Sequence, residues 1–395
     1  MRTKTLTPSS RYCGTWQQAY MERHRAILNG HLPPRYLVSV TVEAGFSDRA
    51  IGAMTGFMFA LLTDRAYQLI TYGTLPRFEA ALHAHNINWS RPTDPDVLID
   101  NLKFTYRGIR GYTGNRSYGP GVNTSLYWPV YLINDDQGSD FFVRENVSQY
   151  PLHHTDTQTV FVASNRGRIV RLFDNPYHRA KLFQMGLRPE TAPACIWDFL
   201  FTPTVQVYQA MATEFATLQS VSKLKIAINI RVGDHVFSPE ADKNTMLETF
   251  EHYFRCASEI ESFARAGGQE VIWYVTSDSL RLRQLAKQRY GEKVLTQDKM
   301  AYFHGDCGDS KEKSFGGCTQ ATQDVSIQMA VGQSLAISMC DYFVIPQMSG
   351  FGLFATWLHG PWHNVYQINS SNQNRTCTEY DYETIETLSR VWTGI

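Results

Sequence analysis

The sequence predicts an α/β protein built on parallel sheets. The main observation is an order that recurs along the second half of the chain. An apolar run of strand length ends in a polar turn, and a helical stretch follows. Lys225-Ile226-Ala227-Ile228-Asn229-Ile230 stops at Arg231-Val232-Gly233-Asp234, and Val271-Ile272-Trp273-Tyr274-Val275 stops at Thr276-Ser277-Asp278-Ser279. Tyr342 to Ile345 leads to Ser349-Gly350-Phe351-Gly352. Parallel strands need long crossovers, usually helical, so this alternation is the mark of a parallel sheet. A second observation comes from the first half, where Tyr36-Leu37-Val38-Ser39-Val40-Thr41-Val42 is β-branched and reads as a buried strand.

The remaining elements follow in order. After a turn at Ala44-Gly45-Phe46-Ser47, a helical run extends from about Asp48 to Asp64. From Phe104 to Val130 the chain is rich in Gly, Tyr and Asn with little period, which reads as a long surface loop. A helix rich in Glu and Phe is expected from about Asn244 to Ala266. Another ends at Tyr290, with Gly291 in the C-cap position, and a third spans about Gln323 to Cys340. A boundary near residues 205–220 divides the chain into halves at 1–210 and 211–395.

Composition excludes several classes. The 395 residues carry 37 Lys plus Arg against 37 Asp plus Glu, a formal net charge of +0. A general nucleic-acid binder would need a net basic surface to displace counterions from phosphate. Hydrophobic residues at 43% and charged residues at 19% rule out wholesale disorder. No run reaches the ~18 apolar residues that a membrane-spanning helix needs; Ile51 to Leu62 is too short. Met1 to Thr5 has positive charge but no apolar run behind it, so it does not read as a signal peptide. Among the cysteines (Cys13, Cys195, Cys256, Cys307, Cys318, Cys340, Cys377) there is no C-x-x-C pair and no zinc spacing. Cys307 and Cys318 flank a polar, Gly-rich loop and form the candidate disulfide in an oxidising compartment. Asn-x-Ser/Thr sequons at Asn88, Asn115, Asn123, Asn146, Asn369 and Asn374 hint at the secretory route.

Ligands of open parallel sheets bind beyond the carboxyl ends of the strands, so the three polar turns are the first candidates for a site. Ser349 and Gly350 precede a helix whose free N–H groups and positive dipole end suit an anion, and the glycines allow a phosphate close to the backbone. Arg231, ending a neighbouring strand, offers a planar fork to the same group. The competing reading is local: an arginine paired with a nearby carboxylate, and a turn that is only a turn. Asp94-Pro95-Asp96 has an Asp-x-Asp form but lies in a Pro-rich turn. His153-His154 near Asp156 point apart if extended, and His235 suits a hydrogen-bonding role, so no metal site is expected.

Several of these segments, in this order, resemble the plant xyloglucan fucosyltransferases and their relatives. Tyr36-Leu37-Val38, Gly45-Phe46-Ser47-Asp48-Arg49 and Phe59 to Arg65 resemble the family's opening strand, Gly-x-Gly-Asn-Arg loop and helix. Leu187 to Thr191 with Phe199 to Thr204 resembles the segment joining the halves. Ile226 to Arg231 resembles the strand ending in the donor arginine, and Val275 to Ser279 the next strand end. Ser338 to Val344 followed by Ser349 to Gly352 resembles the last donor motif, and Pro361-Trp362 the tail. The family's Gly-Asn is Ser47-Asp48 here and its Ser-Thr-Phe-Gly is Ser349-Gly350-Phe351-Gly352. The first change puts an acid near the donor cleft, which serves a different acceptor or weakens nucleotide binding.

The resemblance implies a GT-B fold of two Rossmann-like domains facing a cleft, with the acceptor on residues 1–210 and the donor on 211–395. It implies inverting transfer of L-fucose from GDP-fucose to a glycan hydroxyl, with no metal and no further cofactor. Donor contacts are then expected from Gly45, Phe46, Arg49, Arg231, Gly233, Asp234, Ser277, Asp278, Ser279, Ser349, Gly350, Phe351 and Gly352. Arg231 would meet charge on the leaving diphosphate. Asp48 and Glu43 rank ahead of Asp136 and Asp140 as the base. Tyr106, Tyr112, Tyr118 and Tyr127 offer rings to acceptor sugars, or pin the long loop to the domain. A Golgi lumen is implied by the family, whereas the lack of its membrane anchor fits a cytoplasmic, viral or excised-domain origin. The rival readings are a non-catalytic sugar- or nucleotide-binding module and a GT-B enzyme using another nucleotide sugar.

Overall fold

The computed structural model describes residues 12–41, 44–71, 76–90, 127–132, 143–149, 156–300, 319–347, 349–360, 363–369 and 373–390. Two parallel sheets carry the fold. The first has the order β2-β1-β5-β4, formed by β1 (Tyr36–Thr41), β2 (Ala66–Thr71), β4 (Tyr127–Leu132) and β5 (Thr159–Ser164). The second has the order β11-β10-β7-β8-β9, formed by β7 (Leu224–Ile230), β8 (Val271–Ser277), β9 (Val294–Leu295), β10 (Tyr342–Pro346) and β11 (Val365–Ile368). Every pairing within these two sheets is parallel. A short antiparallel pair, β3 (Leu82–Ala84) with β6 (Phe201–Pro203), stands apart.

The helices explain the sheet faces. The first is α1 (Trp16–Leu28), and α2 (Phe46–Leu62) is apolar all round, with every residue after Asp48 buried. A helix of that kind must be enclosed on all sides. Gly52 and Gly56 let α2 approach the first sheet. A Cβ at Gly52 would fall 2.0 Å from the Ser164 carbonyl oxygen, and one at Gly56 would fall 1.9 Å from Ser39 Oγ. Between the sheets in sequence come α3 (Arg179–Gln184), α4 (Ala192–Leu200), α5 (Val205–Ala210) and α6 (Ala212–Leu218). After them, α7 (Glu251–Ala264), α8 (Leu280–Tyr290), α9 (Gln320–Ser338) and α10 (Gly350–His359) flank the second sheet, and α11 (Ile385–Arg390) follows.

The pleat divides the second sheet between two cores. Ala227 of β7 joins the large cluster shared with α2, α4, α9 and α10, whereas Ile226, Ile228 and Ile230 face the cluster under α7 and α8. Residues from both sequence halves therefore share one core. Phe46 of α2 makes edge contacts with Trp197 of α4 and Phe354 of α10, and Trp197 meets Phe354 in turn.

Three expectations need correction or placement. The long loop ends earlier than the sequence suggested: Tyr127 to Val130 begin β4, with Tyr127 paired to Thr159. Pro129 hid the strand, since proline cannot donate to a ladder; β4 is an edge strand, where proline is tolerated. Among the described residues the disulfides are Cys13–Cys195 and Cys256–Cys377, and Cys340 is buried and free. Both join cysteines more than a hundred residues apart, at separations of 182 and 121, which no spacing rule reveals. Closing loops of that length stabilises the fold by roughly 5 kcal/mol each in the chain-entropy picture. Cys307 and Cys318 lie outside the described residues, as do Glu43, Tyr106, Tyr112, Tyr118, Asp94, Asp96, Asp136, Asp140, His153, His154 and the Pro361-Trp362 tail. Among the described residues no helix is long and apolar enough to cross a membrane.

Candidate active site

Neighbouring strands β10, β7 and β8 run parallel, so their carboxyl ends open on one edge of the second sheet. Arg231 leaves the end of β7 there. Its Nη1 donates to Asp278 Oδ2 at 2.7 Å, its Nη2 donates to Asp234 Oδ1, and its guanidinium lies 5.4 Å from the Phe237 ring centre. The arginine is 37% exposed, so this aromatic and acidic cradle fixes the head without enclosing it.

Asp278 does more than pair with Arg231. Its Oδ1 also accepts the Val232 N–H at 2.8 Å and the Ser277 hydroxyl at 3.2 Å, and its Oδ2 accepts the Gly233 N–H at 2.9 Å. A carboxylate has about four lone-pair sites, and four donors fill them here. Asp278, expected to touch the nucleotide, shapes the turn that carries Arg231. The turn needs Gly233, whose φ of 134° suits glycine.

Behind Asp278 stands a residue that sequence reasoning missed. The buried Asp242 accepts the Ser279 hydroxyl, the Arg281 N–H at 3.0 Å and, more weakly, the Thr245 hydroxyl at 3.4 Å. Ser279 caps α8 by accepting the Leu282 N–H at 3.0 Å, and its own N–H donates to Ser277 Oγ at 3.1 Å. A continuous set of hydrogen bonds thus links Asp242 through Ser279, Ser277 and Asp278 to Arg231. Ser277 and Ser279, both expected at the donor, are buried members of this chain.

The last strand end supplies a helix N-terminus. Because β10 pairs with β7 in parallel, the start of α10 follows a strand end on the same edge of the sheet as Arg231. Ser349 is its N-cap, and no side chain caps the first turn. The N–H groups of Gly350, Phe351 and Gly352 precede any intrahelical acceptor. Gly352 is needed for packing: a Cβ there would fall 2.7 Å from Asn229 Oδ1 and 3.1 Å from Ile345 Cβ. Phe351 is half-buried against the large core.

Across from this edge, α2 brings its own N-terminus. Gly45 is the N-cap, with open space around its Cα, and Asp48 lies in the first turn. Burial raises the Asp48 carboxyl to about 6, against opposing pulls from Arg166 and Arg231. Asp48 thus senses one cation from each half of the chain. Arg166 follows β5 and is held on α2 by Thr55, whose hydroxyl donates to the Arg166 carbonyl at 3.2 Å and accepts the Arg168 N–H at 3.1 Å. The basic turn Ser164 to Arg168 escaped the sequence reading because a short 3₁₀ stretch, Val170–Asp174, follows it in place of a helix. Two other expected donor residues are buried. Phe46 is buried among aromatic rings, and Arg49 is buried, donating to the Pro76 carbonyl at 2.7 Å beside the Phe78 ring. Asp234 and His235 are exposed beside Arg231. Among the described residues no three His, Cys, Asp or Glu side chains group as metal ligands.

Solved structures share this architecture. An arginine-to-lysine mutant of Arabidopsis thaliana FUT1 in complex with GDP superposes with a TM-score of 0.62 at 16% identity, covering 92% of this chain and 82% of that one. The α-1,6-fucosyltransferase NodZ soaked with GDP-fucose gives 0.47 at 13% identity, with coverages of 86% and 96%. NodZ from Bradyrhizobium gives 0.46 at 12%, with coverages of 81% and 92%. No protein-family model matches the chain, and no curated protein is significantly similar to it in sequence. The likeness to FUT1 establishes the fold: two parallel α/β sheets in the GT-B arrangement expected from the sequence.

Proposed function

We propose that this chain is a glycosyltransferase that moves L-fucose from GDP-fucose to a hydroxyl of a glycan acceptor. The observation that carries the proposal is that Arg231 and Asp48, from the two halves of the chain, lie close enough for their charges to interact, with α10 starting after β10 on the same strand-end edge as Arg231. A FUT1 structure of the same fold was obtained with GDP, which supports the nucleotide. In this reading residues 211–395 hold the donor and residues 1–210 face the acceptor.

The chemistry follows from charge. Breaking the bond between sugar and phosphate builds positive charge on the ring and negative charge on the departing GDP. Asp278 and Asp234 take two of the five N–H donors of Arg231; the rest, with its charge, serve the diphosphate, and the α10 N–H groups and dipole add to the field. Both are fixed cationic or dipolar groups, so the leaving group is stabilised without a metal ion. Asp48 accepts the proton of the attacking hydroxyl. A carboxyl with a pKa of about 6 is mostly ionised at neutral pH yet basic enough for that task. The hydroxyl oxygen enters opposite the departing phosphate, with inversion at the anomeric carbon.

The test is a thermal-shift panel followed by turnover. GDP-fucose and GDP should raise the melting temperature more than UDP- or CMP-linked sugars, since a ligand that binds only the folded state stabilises it by mass action. An equal response to UDP-sugars would move the assignment to another donor. GDP-fucose binding without transfer to any of a panel of glycans would favour a binding module, the reading suggested by Ser47-Asp48.

A further inference from the structure

The sequons and the disulfides bear on a question separate from catalysis. Two disulfides join Cys13 to Cys195 and Cys256 to Cys377, and such bonds form and persist in oxidising compartments. In eukaryotic cells, glycans are transferred to sequon asparagines in that same setting. Transfer requires a free asparagine amide on an exposed segment that can adopt the enzyme's geometry.

The four described sequon asparagines differ sharply on that requirement. Asn369 is half-buried, and its Nδ2 donates to Gln347 Oε1, so the reacting nitrogen is engaged. Asn146 is half-buried and accepts the Ser148 hydroxyl at 2.6 Å. Asn88 is exposed, but the next residue, Trp89, is fully buried and donates to the Leu200 carbonyl at 2.7 Å. Its sequon hydroxyl, on Ser90, donates to Glu79 at 3.0 Å. That peptide is drawn into the fold.

Asn374 is different. It is exposed, without a hydrogen bond to any described residue, on a turn outside helix and strand. Thr376, which completes its sequon, is exposed as well. The turn is anchored on both sides. Arg255 donates to the Gln373 carbonyl, Arg375 donates to Glu383 and to the Gln367 carbonyl, and Cys377 is bonded to Cys256. These anchors hold the backbone while leaving the Asn374 side chain outside.

We propose that Asn374 carries an N-linked glycan. The donor class is an oligosaccharide on a lipid pyrophosphate. The amide nitrogen Nδ2 forms the new bond to the anomeric carbon, the carbon–oxygen bond to the pyrophosphate breaks, and the lipid pyrophosphate leaves as the nitrogen gives up one proton. Asn369 serves as the internal control, since its amide is already spent.

The experiment uses the full chain isolated from its own source cells. Enzymatic release of N-glycans in heavy-oxygen water converts a modified asparagine to labelled aspartate, which mass spectrometry of peptides then locates. Label at Asn374 and none at Asn369 is the expected result. An unlabelled Asn374 overturns the proposal, and so does label at Asn369 alone. A second measurement follows the Thr376→Ala variant expressed in the same cells, which should migrate faster on a gel than the parent by one glycan. Equal migration before glycan release would also overturn it.

Discussion

Asp278 and Arg231 stand at the ends of neighbouring parallel strands, and one carboxylate both pairs with the guanidinium at 2.7 Å and gathers the two N–H groups that follow it. The arginine and its turn are thus set by a single buried anchor, 6% exposed in its side chain. Replacing one carboxylate oxygen by an amide NH₂ sets a donor against the Gly233 N–H or the Val232 N–H and leaves Arg231 with Asp234 as its carboxylate partner.

Asp278→Asn should therefore lower turnover by at least tenfold and reduce stability by about 1–3 kcal/mol, the range for a buried group left unpaired. Turnover and denaturant unfolding of the same preparation check this. A variant with parental turnover would show that the Arg231 turn holds its shape without Asp278.

Asp48 should trade stability for activity. Its folded-state pKa of about 6 lies above the ~3.9 of an unfolded aspartate. The folded chain binds that proton more tightly, so the group favours folding at low pH and withdraws this support as pH rises through about 6. Asp48→Asn should raise the melting temperature near pH 8 by an amount that vanishes below about pH 4. The same variant should lose at least a hundredfold in turnover, and the parent's rate should climb through about pH 6. A stability difference that does not depend on pH would contradict the buried-acid reading.

Gly352 is fixed by packing. Its Cβ position lies 2.7 Å from Asn229 Oδ1 and 3.1 Å from Ile345 Cβ, so Gly352→Ala should destabilise by about 1–3 kcal/mol. Gly267→Ala, where a Cβ would meet nothing within 4 Å, should spare stability more than Gly352→Ala does. Thermal melts of the pair decide it; equal losses would contradict the assignment.

Much of this was legible in the chain. The strands expected to stop at Ile230, Val275 and Ile345 end at Ile230, Ser277 and Pro346, and the Gly291 cap follows from its position after Tyr290, where its φ is 62°. What stayed hidden depends on partners distant in sequence. Asp242 becomes an anchor only when α8 starts beside it, and Arg166 meets Asp48 only because Gly52 lets α2 lie against the end of β5. Pro129 concealed an edge strand, and the cysteine pairs span more than a hundred residues. Local pattern gives the ends of the strands, whereas the burial of Phe46 and Arg49 emerges only from packing.

The central claim is a GDP-sugar site built on Arg231, and the most direct measurement is turnover beside calorimetric GDP affinity for substitutions at that residue. Lysine keeps the charge but loses the planar fork. Arg231→Lys should lower turnover from GDP-fucose on the order of a hundredfold, because the fork acts on charge that grows as GDP departs, while weakening GDP binding less. Arg231→Ala should weaken both and leave the melting curve cooperative. Near-parental turnover in Arg231→Ala would contradict the account.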